Sequence, residues 1–104
     1  MNKYHIEITK RAKKNLYEIG RYIVKELLEP SISQKVVGRI HETILTLEEL
    51  PLRNSLVTDK KLARHGLWKM MVDNFILFYI ISEEQNTATI IRILNGRRNW
   101  IDLI

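Results

Sequence analysis

The hydrophobic period of this sequence changes once along the chain, and that change constrains the fold most strongly. Between residues 10 and 50, apolar residues recur every three or four positions, which is typical of amphipathic helices. Between residues 67 and 94, they recur every second position or run together, which indicates β-strands. Such a chain is expected to place a pair of helices against a sheet.

The N-terminal segment predicts one strand followed by one helix. Residues 3–8 alternate between polar and apolar side chains, as in a half-buried strand. Thr9 is the predicted N-cap of the helix. The helix is expected to end before Pro30, because a residue that precedes proline avoids the helical region. Its predicted apolar stripe consists of Ala12, Leu16, Ile19, Ile23 and Leu27.

A second helix is predicted directly afterwards, which makes the two helices an αα-hairpin. Ser31 or Ser33 is the expected N-cap, and Pro51 bounds the helix. Gly38 is interpreted as a point of close approach to the first helix. Residues 52–66 are polar and mixed, and are expected to be mainly loop. The apolar stripe of this helix consists of Val36, Val37, Ile40, Ile44 and Leu47.

Three strands are predicted in the C-terminal half, over Leu67–Val72, Phe75–Ile81 and Ala88–Leu94. Asp73-Asn74 is a predicted two-residue hairpin turn, and residues 82–87 form the next turn. The middle strand lacks alternation and is expected to be covered on both faces. The predicted fold is therefore α+β, in the order β-α-α-β-β-β, with the helical hairpin packed on an antiparallel sheet. The place of the first strand in that sheet stays open.

Length and composition narrow the class of protein. The 104 residues suit one domain spanning 1–104, and the absence of cysteine excludes disulfides, thiolate metal sites and thiol nucleophiles. The N-terminus lacks the apolar core of a signal peptide, and residues 75–81, the longest apolar run, are too short to span a membrane. We therefore expect a cytoplasmic protein with no membrane association. The formal net charge of +5 suggests an anionic partner, either nucleic acid or an acidic protein segment.

The positive charge falls into three groups of residues. The first lies in the opening turns of the first helix, where the helix dipole disfavours cations, so it indicates either contact with an anionic partner or a solvated face. The third lies beside Trp100, and arginine next to an aromatic ring can bind phosphate, stack on a base or grip a carboxylate. The segment 95–104 begins with a turn and is expected to end in a short helix. The groups are Lys10, Arg11, Lys13 and Lys14; Lys60, Lys61, Arg64 and Lys69; and Arg92, Arg97 and Arg98.

No motif in the chain identifies a catalytic centre on its own. Gly-rich phosphate loops, HExxH and GxSxG are absent, and His5, His41 and His65 lack metal-ligand spacing, so no metal and no cofactor are expected. His5 and His41 are interpreted as structural or surface residues. His65 is a candidate general base in a loop. Tyr79 is interpreted as a core residue whose hydroxyl is satisfied at a sheet edge.

Four segments, taken in order, nevertheless carry a resemblance to a known family. They are Thr9-Lys10-Arg11-Ala12 followed by Leu16-x-x-Ile19-x-x-Tyr22-Ile23; Ile44-x-x-Leu47-x-x-Leu50-Pro51; Phe75-Ile76-Leu77-Phe78-Tyr79; and Ile91-Arg92-Ile93-Leu94-Asn95-Gly96-Arg97-Arg98-Asn99. They are spread over residues 9–99, so the resemblance covers nearly the whole chain. In this order and spacing the sequence resembles the RelE/ParE superfamily of bacterial toxins.

This resemblance implies the toxin of a bacterial type II toxin–antitoxin system, a class linked to plasmid stabilisation. It also implies a hetero-oligomer in which the C-terminal segment of an antitoxin, often acidic, wraps the toxin and neutralises it. RelE-like members cleave mRNA in the ribosomal A site, and ParE-like members inhibit DNA gyrase without a known catalytic residue. A diverged, nontoxic protein that binds only its antitoxin is a third alternative.

Departures from the RelE pattern favour the ParE-like branch. Ile76 stands where RelE-like enzymes carry an arginine, and Lys69 is the one cation of Trp68-Lys69-Met70 in the neighbouring strand. Asn95 replaces the common histidine before glycine, and Trp100 stands where a tyrosine or histidine is expected. If the protein is a nuclease, the candidate catalytic residues are Arg97, Arg98, Arg64 and Lys69. The candidate target- or antitoxin-binding residues are Arg97, Arg98, Trp100, Arg92, Lys10, Arg11, Lys13 and Lys14.

Overall fold

Two helices and five strands make up the part of the chain that this computed structural model describes, namely residues 3–49, 55–56 and 66–96. The elements are β1 (His5–Ile8), α1 (Lys10–Lys25), α2 (Pro30–Leu45) with a 3-10 turn at Thr46–Glu48, β2 (Ser55–Leu56), β3 (Trp68–Val72), β4 (Phe75–Ser82) and β5 (Thr87–Asn95). The predicted helices and the four predicted strands are thus confirmed. Strand β2 is an addition within residues 52–66, where mainly loop was expected.

The strands form one sheet in the order β1-β5-β4-β3-β2. Strands β3, β4 and β5 are an antiparallel meander, as predicted, with Asp73-Asn74 in the first turn. Strand β1 joins the meander through β5 and runs parallel to it, so that His5 lies opposite Thr87. The sheet is therefore mixed, and β1 takes the edge position that the sequence left open.

The helical hairpin covers one face of this sheet, which confirms the predicted α+β arrangement. Helix α1 lies over β5, and α2 contacts β3. Strand β4 is buried on both faces, as its missing alternation predicted. Leu77 and Tyr79 belong to the cluster under the helices, whereas Ile76 and Phe78 belong to a second cluster with Leu67 and Leu94. The main cluster of buried residues consists of Ala12, Ile23, Val36, Ile40, Ile44, Leu47, Met70, Val72, Leu77, Tyr79, Ala88, Ile90 and Ile93.

Helix α1 begins as predicted and ends earlier than its apolar stripe suggested. The Thr9 hydroxyl accepts a hydrogen bond from the Ala12 backbone N–H at 3.1 Å, which confirms the N-cap. The helix ends at Lys25, and Leu28 adopts a φ of 55° in the following turn. Leu27 therefore lies outside the helix and is 53% exposed, so its assignment to the buried stripe was wrong.

Helix α2 begins at Pro30, and neither Ser31 nor Ser33 is its cap. Proline is well suited to the first helical turn, because its φ is preset and its missing N–H needs no partner there. Ser33 instead lies buried inside the helix, and its hydroxyl donates to the Gly20 carbonyl at 2.8 Å. The serine prediction failed because this hydrogen bond crosses to the other helix and leaves no local pattern.

The interpretation of Gly38 was also wrong. A Cβ atom at Gly38 would meet no heavy atom within 4 Å, so this position is open. The close approach of the two helices occurs at Gly20, where a Cβ would lie 3.3 Å from both Ser33 Oγ and Val37 Cγ2. The glycine on α1, not the one on α2, allows the hairpin to close.

Candidate functional site

The first group of predicted binding residues lies on the surface of α1. Lys10, Arg11, Lys13 and Lys14 are all exposed, and the first turn of the helix contains no acidic residue. Lys14 pairs with Glu18 at 3.9 Å, but the side chains are 77% and 57% exposed, so the pair adds little to stability. These cations are therefore accessible to an anionic partner, and their role stays a prediction.

The cationic surface continues along α1 beyond the residues that the sequence analysis selected. Lys13, Tyr17, Arg21 and Lys25 follow one another at four-residue intervals, and all four side chains are exposed. Residues four apart lie on the same side of a helix, so they form one stripe along α1. Sequence reasoning missed Tyr17, Arg21 and Lys25 as site residues, although this spacing could have found them.

An open furrow between α1 and α2 runs beside that stripe; we call it the α1–α2 furrow. It encloses about 550 Å³. Both helices contribute to it, and its described lining consists of Lys13, Leu16, Tyr17, Gly20, Arg21, Val24, Lys25, Ser33 and Val37. The α1–α2 furrow thus has a mainly apolar surface with cations on its α1 side.

A second groove, of about 660 Å³, opens where the helices meet the sheet near the end of β5. Its lining includes Ile19, Phe75 and Leu94, together with Tyr22, which is 56% exposed. Glu18 lies in this lining, so the second groove lacks the uniform positive rim of the α1–α2 furrow.

Arg92, another predicted binding residue, is tied to α1. Its Nε donates to Asn15 Oδ1 at 3.0 Å, and the same oxygen accepts the Ile93 backbone N–H at 3.1 Å. Strand β1 ends at Ile8, so none of the described strands lies beside the following part of β5 on that side. Asn15 supplies an acceptor in place of the missing strand. The one sign of this role in the sequence is an asparagine, a weak helix former, beside the apolar stripe of α1.

Thr9 completes this junction at the point where β5 is irregular. Tyr79 pairs with Ile90 and Phe78 with Arg92, which leaves Ile91 as the extra residue of a β-bulge. The Thr9 hydroxyl donates to the Ile91 carbonyl at 3.2 Å. The side chain that caps α1 therefore also binds the bulge, so the start of α1 is anchored to β5.

Lys69 lies in β3 and is half-buried. It pairs with Phe78 of β4, and Phe78 pairs with Arg92 of β5. Lys69 and Arg92 are thus two strands apart, roughly 10 Å by ordinary strand spacing. The other residues predicted for the site, Arg64, Arg97, Arg98 and Trp100, lie outside the described residues, as do the candidate base His65 and the cations Lys60 and Lys61.

The remaining candidates have ordinary structural surroundings. His5 and His41 are exposed on β1 and α2, as predicted. Within residues 3–49, 55–56 and 66–96, no three histidine, aspartate or glutamate residues come together as a possible metal site. Tyr79 is fully buried, which confirms it as a core residue, and its ring stacks on Trp68 with centroids 6.3 Å apart. Its predicted place at a sheet edge was wrong, because β4 lies in the middle of the sheet. No helix in the described part of the chain has the length and apolar character needed to span a membrane.

Solved structures of known toxins share this fold. The toxin–antitoxin structure of the chromosomal ParDE system from P. aeruginosa superposes with a TM-score of 0.70 at 19% identity, covering 88% of this chain and 95% of that one. The E. coli RelE toxin in the free state gives 0.67 at 14% identity, covering 97% and 92%. The RelBE2 toxin–antitoxin complex from Mycobacterium tuberculosis gives 0.62 at 20% identity, covering 91% and 93%. At such low identities these similarities show the fold alone.

The family itself is shown by sequence. No curated protein sequence matches the chain. The family model described as the ParE toxin of the type II toxin–antitoxin system parDE, however, matches residues 6–100. This match covers nearly the whole chain and includes both helices, the sheet and the Arg97-Arg98 segment. The resemblance inferred from the motifs is confirmed: the chain belongs to the ParE toxin family of type II toxin–antitoxin systems.

Proposed function

We propose that this ParE-family toxin inhibits DNA gyrase by binding to it, without chemistry of its own. The observation that carries the proposal is the family match over residues 6–100 combined with the character of strand β4. Ile76 stands at the position where RelE-like enzymes carry an arginine. Its side chain is 6% exposed and belongs to an apolar cluster. A buried isoleucine can neither transfer a proton nor stabilise a phosphorane-like charge.

A binding inhibitor requires an accessible, complementary surface and no arranged acid–base pair. The exposed cations of α1 and the net charge of +5 supply such a surface, and they would steer an anionic region of a target towards the toxin. The proposed site of action is the cytoplasm, where gyrase meets DNA.

The test is a pair of target assays on one preparation of the toxin. Purified protein should inhibit DNA supercoiling by gyrase, while ribosome-bound mRNA stays intact in its presence. Addition of the antitoxin should restore supercoiling. Ribosome-dependent mRNA cleavage with unaffected gyrase would refute the proposal.

An mRNA endoribonuclease is the second candidate, and the alignment of Lys69 with Arg92 across three strands is the observation in its favour. Two cations in one row could bind a phosphodiester backbone. Under this alternative, Lys69→Ala should abolish mRNA cleavage, whereas under gyrase inhibition there is no cleavage to lose. Normal growth during expression of this chain alone would instead favour a nontoxic antitoxin-binding protein.

We also propose that the toxin is neutralised by a cognate antitoxin in a hetero-oligomeric complex. The solved ParDE and RelBE2 structures are toxin–antitoxin structures of the same fold, which supports this partner. The expected partner is a small acidic protein encoded by the neighbouring gene, with a DNA-binding N-terminal half. Co-expression of the two genes with a tag on one product tests this, and failure of the pair to co-purify would refute it.

A further inference from the structure

Exposed apolar residues are concentrated at the tip of the helical hairpin, where α1 ends and α2 begins. Of the nine large apolar side chains that are exposed in the described part of the chain, five lie between residues 22 and 32. Single exposed apolar residues are ordinary, whereas a contiguous group of them is typical of an interaction surface. Four of the five lie outside the α1–α2 furrow, and we call them the hairpin-tip patch: Tyr22, Leu27, Leu28 and Ile32.

The hairpin-tip patch is one continuous surface that the monomer leaves uncovered. Tyr22, Leu27 and Ile32 all line the second groove, beside the end of β5. Leu28 follows Leu27 in the turn and is 77% exposed. None of the four belongs to either buried cluster of the described residues, so packing within this chain does not explain their apolar character.

Leu28 is unfavourable for the monomer on two counts. Its φ of 55° lies in the left-handed region, where glycine and asparagine are the usual residues. Its apolar side chain also extends into water. Glycine or asparagine would relieve both costs, so the leucine is better explained by a contact that the monomer does not contain.

The charged residues around the patch have both signs. Arg21 and Lys25 lie on α1, Glu26 and Glu29 lie in the turn, and all four are exposed. None of them takes part in the ion pairs seen among the described residues. Residues 21–32 are therefore formally neutral, within a chain whose net charge is +5. Two copies of this cationic protein repel each other over most of their surface, but not at the hairpin tip.

We propose that two copies of this protein associate through their hairpin-tip patches as a homodimer with two-fold symmetry. In a two-fold interface the same patch meets itself, so each contact between two residues occurs twice with the copies exchanged. The cations on α1 of one copy then face the carboxylates in the turn of the other. Lys25 and Glu29 form such a pair in both directions, and the apolar residues lie between the two pairs.

The area of the patch determines the strength of this dimer. The exposed fractions of the four side chains correspond to roughly 500 Å² on each copy, the size at which a patch marks an interaction site. Two patches together bury about 1,000 Å², which is close to the lower limit for a specific interface. We therefore expect a reversible dimer with a Kd in the micromolar range.

The balanced charge of the tip distinguishes a second copy from the other proposed partners. A nucleic acid or an acidic antitoxin segment gains affinity from an excess of cations, and residues 21–32 have no such excess. A two-fold dimer instead requires equal numbers of both signs in one patch. The inference is independent of the target of the toxin, since it concerns only how the chain binds itself.

The experiment measures the mass of the full-length toxin by sedimentation equilibrium, at low salt and between about 1 and 200 μM. Lys25→Glu and Glu29→Lys each place like charges opposite each other in the homodimer. An equimolar mixture of the two variants restores opposite charges, but only in the heterodimer. This rescue separates a paired interface from a general effect of net charge.

A second variant tests the apolar part of the interface. Leu27→Ser with Leu28→Asn removes apolar surface, and asparagine tolerates the backbone conformation of Leu28. The matched controls are Lys10→Glu at the start of α1 and Leu45→Ser at the end of α2. Both control residues are exposed, and they make the same kinds of change outside the tip.

We expect the wild-type mass to rise from that of a monomer towards that of a dimer as the concentration increases. Each single charge variant should weaken the Kd about 10-fold at low salt, with a smaller effect at high salt. The equimolar mixture should return to within about threefold of the wild-type Kd. The apolar variant should stay monomeric, the controls should behave as wild type, and all variants should keep the wild-type circular dichroism spectrum.

Four results would overturn the proposal. Wild-type toxin could remain monomeric at the highest concentration. The tip variants and the controls could weaken the dimer equally, which would place the interface elsewhere. The mixture could fail to form a heterodimer, which would exclude the two-fold charge pairs. Finally, a monomeric toxin that loses antitoxin or gyrase binding through Leu27→Ser with Leu28→Asn would assign the patch to that partner instead.

Discussion

Replacing Asn15 by alanine should destabilise the protein by about 2 kcal/mol. Asn15 Oδ1 accepts two hydrogen bonds from β5, one from the Ile93 backbone N–H and one from Arg92 Nε. Ile93 is 1% exposed, so loss of its acceptor leaves a buried N–H without a partner, at a cost of roughly 1–3 kcal/mol. The lost bond to Arg92 adds about 1 kcal/mol. The better helix propensity of alanine offsets about 0.5 kcal/mol of this loss in stability.

The measurement is the free energy of unfolding from urea titration, together with the melting temperature. For a domain of this size, a loss of about 2 kcal/mol corresponds to a fall in Tm of roughly 8–16 °C. Asn15→Asp keeps an acceptor oxygen and adds attraction to Arg92, so it should retain most of the stability. Lys14→Ala, a neighbouring change on the exposed side of α1, should stay within about 0.5 kcal/mol of wild type. An Asn15→Ala variant as stable as Lys14→Ala would refute the assigned role of Asn15.

Three further predictions test the hairpin, the turn after α1 and the C-terminal arginines. Gly20→Ala should lower the free energy of unfolding by about 1 kcal/mol, because the new Cβ would press on α2. Gly38→Ala lies in open space and should raise the free energy of unfolding by about 0.5–1 kcal/mol. If both variants shift the melting temperature in the same direction, this reasoning is wrong. Leu28→Asn should stabilise by about 0.5–1 kcal/mol, because asparagine tolerates the φ of 55° better than leucine; an unchanged or lower Tm would argue against strain there. Replacement of Arg97 and Arg98 by alanine should abolish toxicity or weaken antitoxin binding without changing Tm, and unchanged growth inhibition and binding would assign both to the solvated surface.

The parts of the fold that depend on local periodicity were predictable from sequence. The stripe of α1 and the alternation in β3 result from burial on one face. Such burial places an apolar residue at each turn of a helix or at every second residue of a strand, where the sequence shows it. The Thr9 cap was predictable for a similar reason, since it acts three residues away in the chain. The double coverage of β4 followed from its continuous apolar run.

Features that join distant parts of the chain were not predictable in this way. The parallel pairing of β1 with β5 and the Asn15 bonds to β5 connect opposite ends of the sequence. Gly38 and Gly20 look alike in sequence, and only the packing of α2 shows which of them lies at the close approach.

In the candidate site, too, local features were predictable from the sequence and features formed by distant residues were not. Net charge and the basic start of α1 were visible in composition, but the α1–α2 furrow exists only once the hairpin has closed at Gly20. Val24 was therefore not selected, since an exposed apolar residue has no distinguishing mark until its neighbours are placed, whereas Tyr17 shares the four-residue spacing of the cations on α1. Arg92 was selected for its charge, and its bond to Asn15 adds a structural role that charge alone does not indicate.

The edge position of β1 affects when the sheet can form during translation. The Thr9 hydroxyl donates to the carbonyl of Ile91, 82 positions later, and among the described strands β1 pairs only with β5. At ordinary synthesis rates of about 5–20 residues per second, roughly 4–16 s separate the translation of the two partners. During that interval the nascent chain has a hairpin sequence without the strand on which α1 rests. A translation product that stops before β5 therefore lacks the strand against which both β1 and α1 pack.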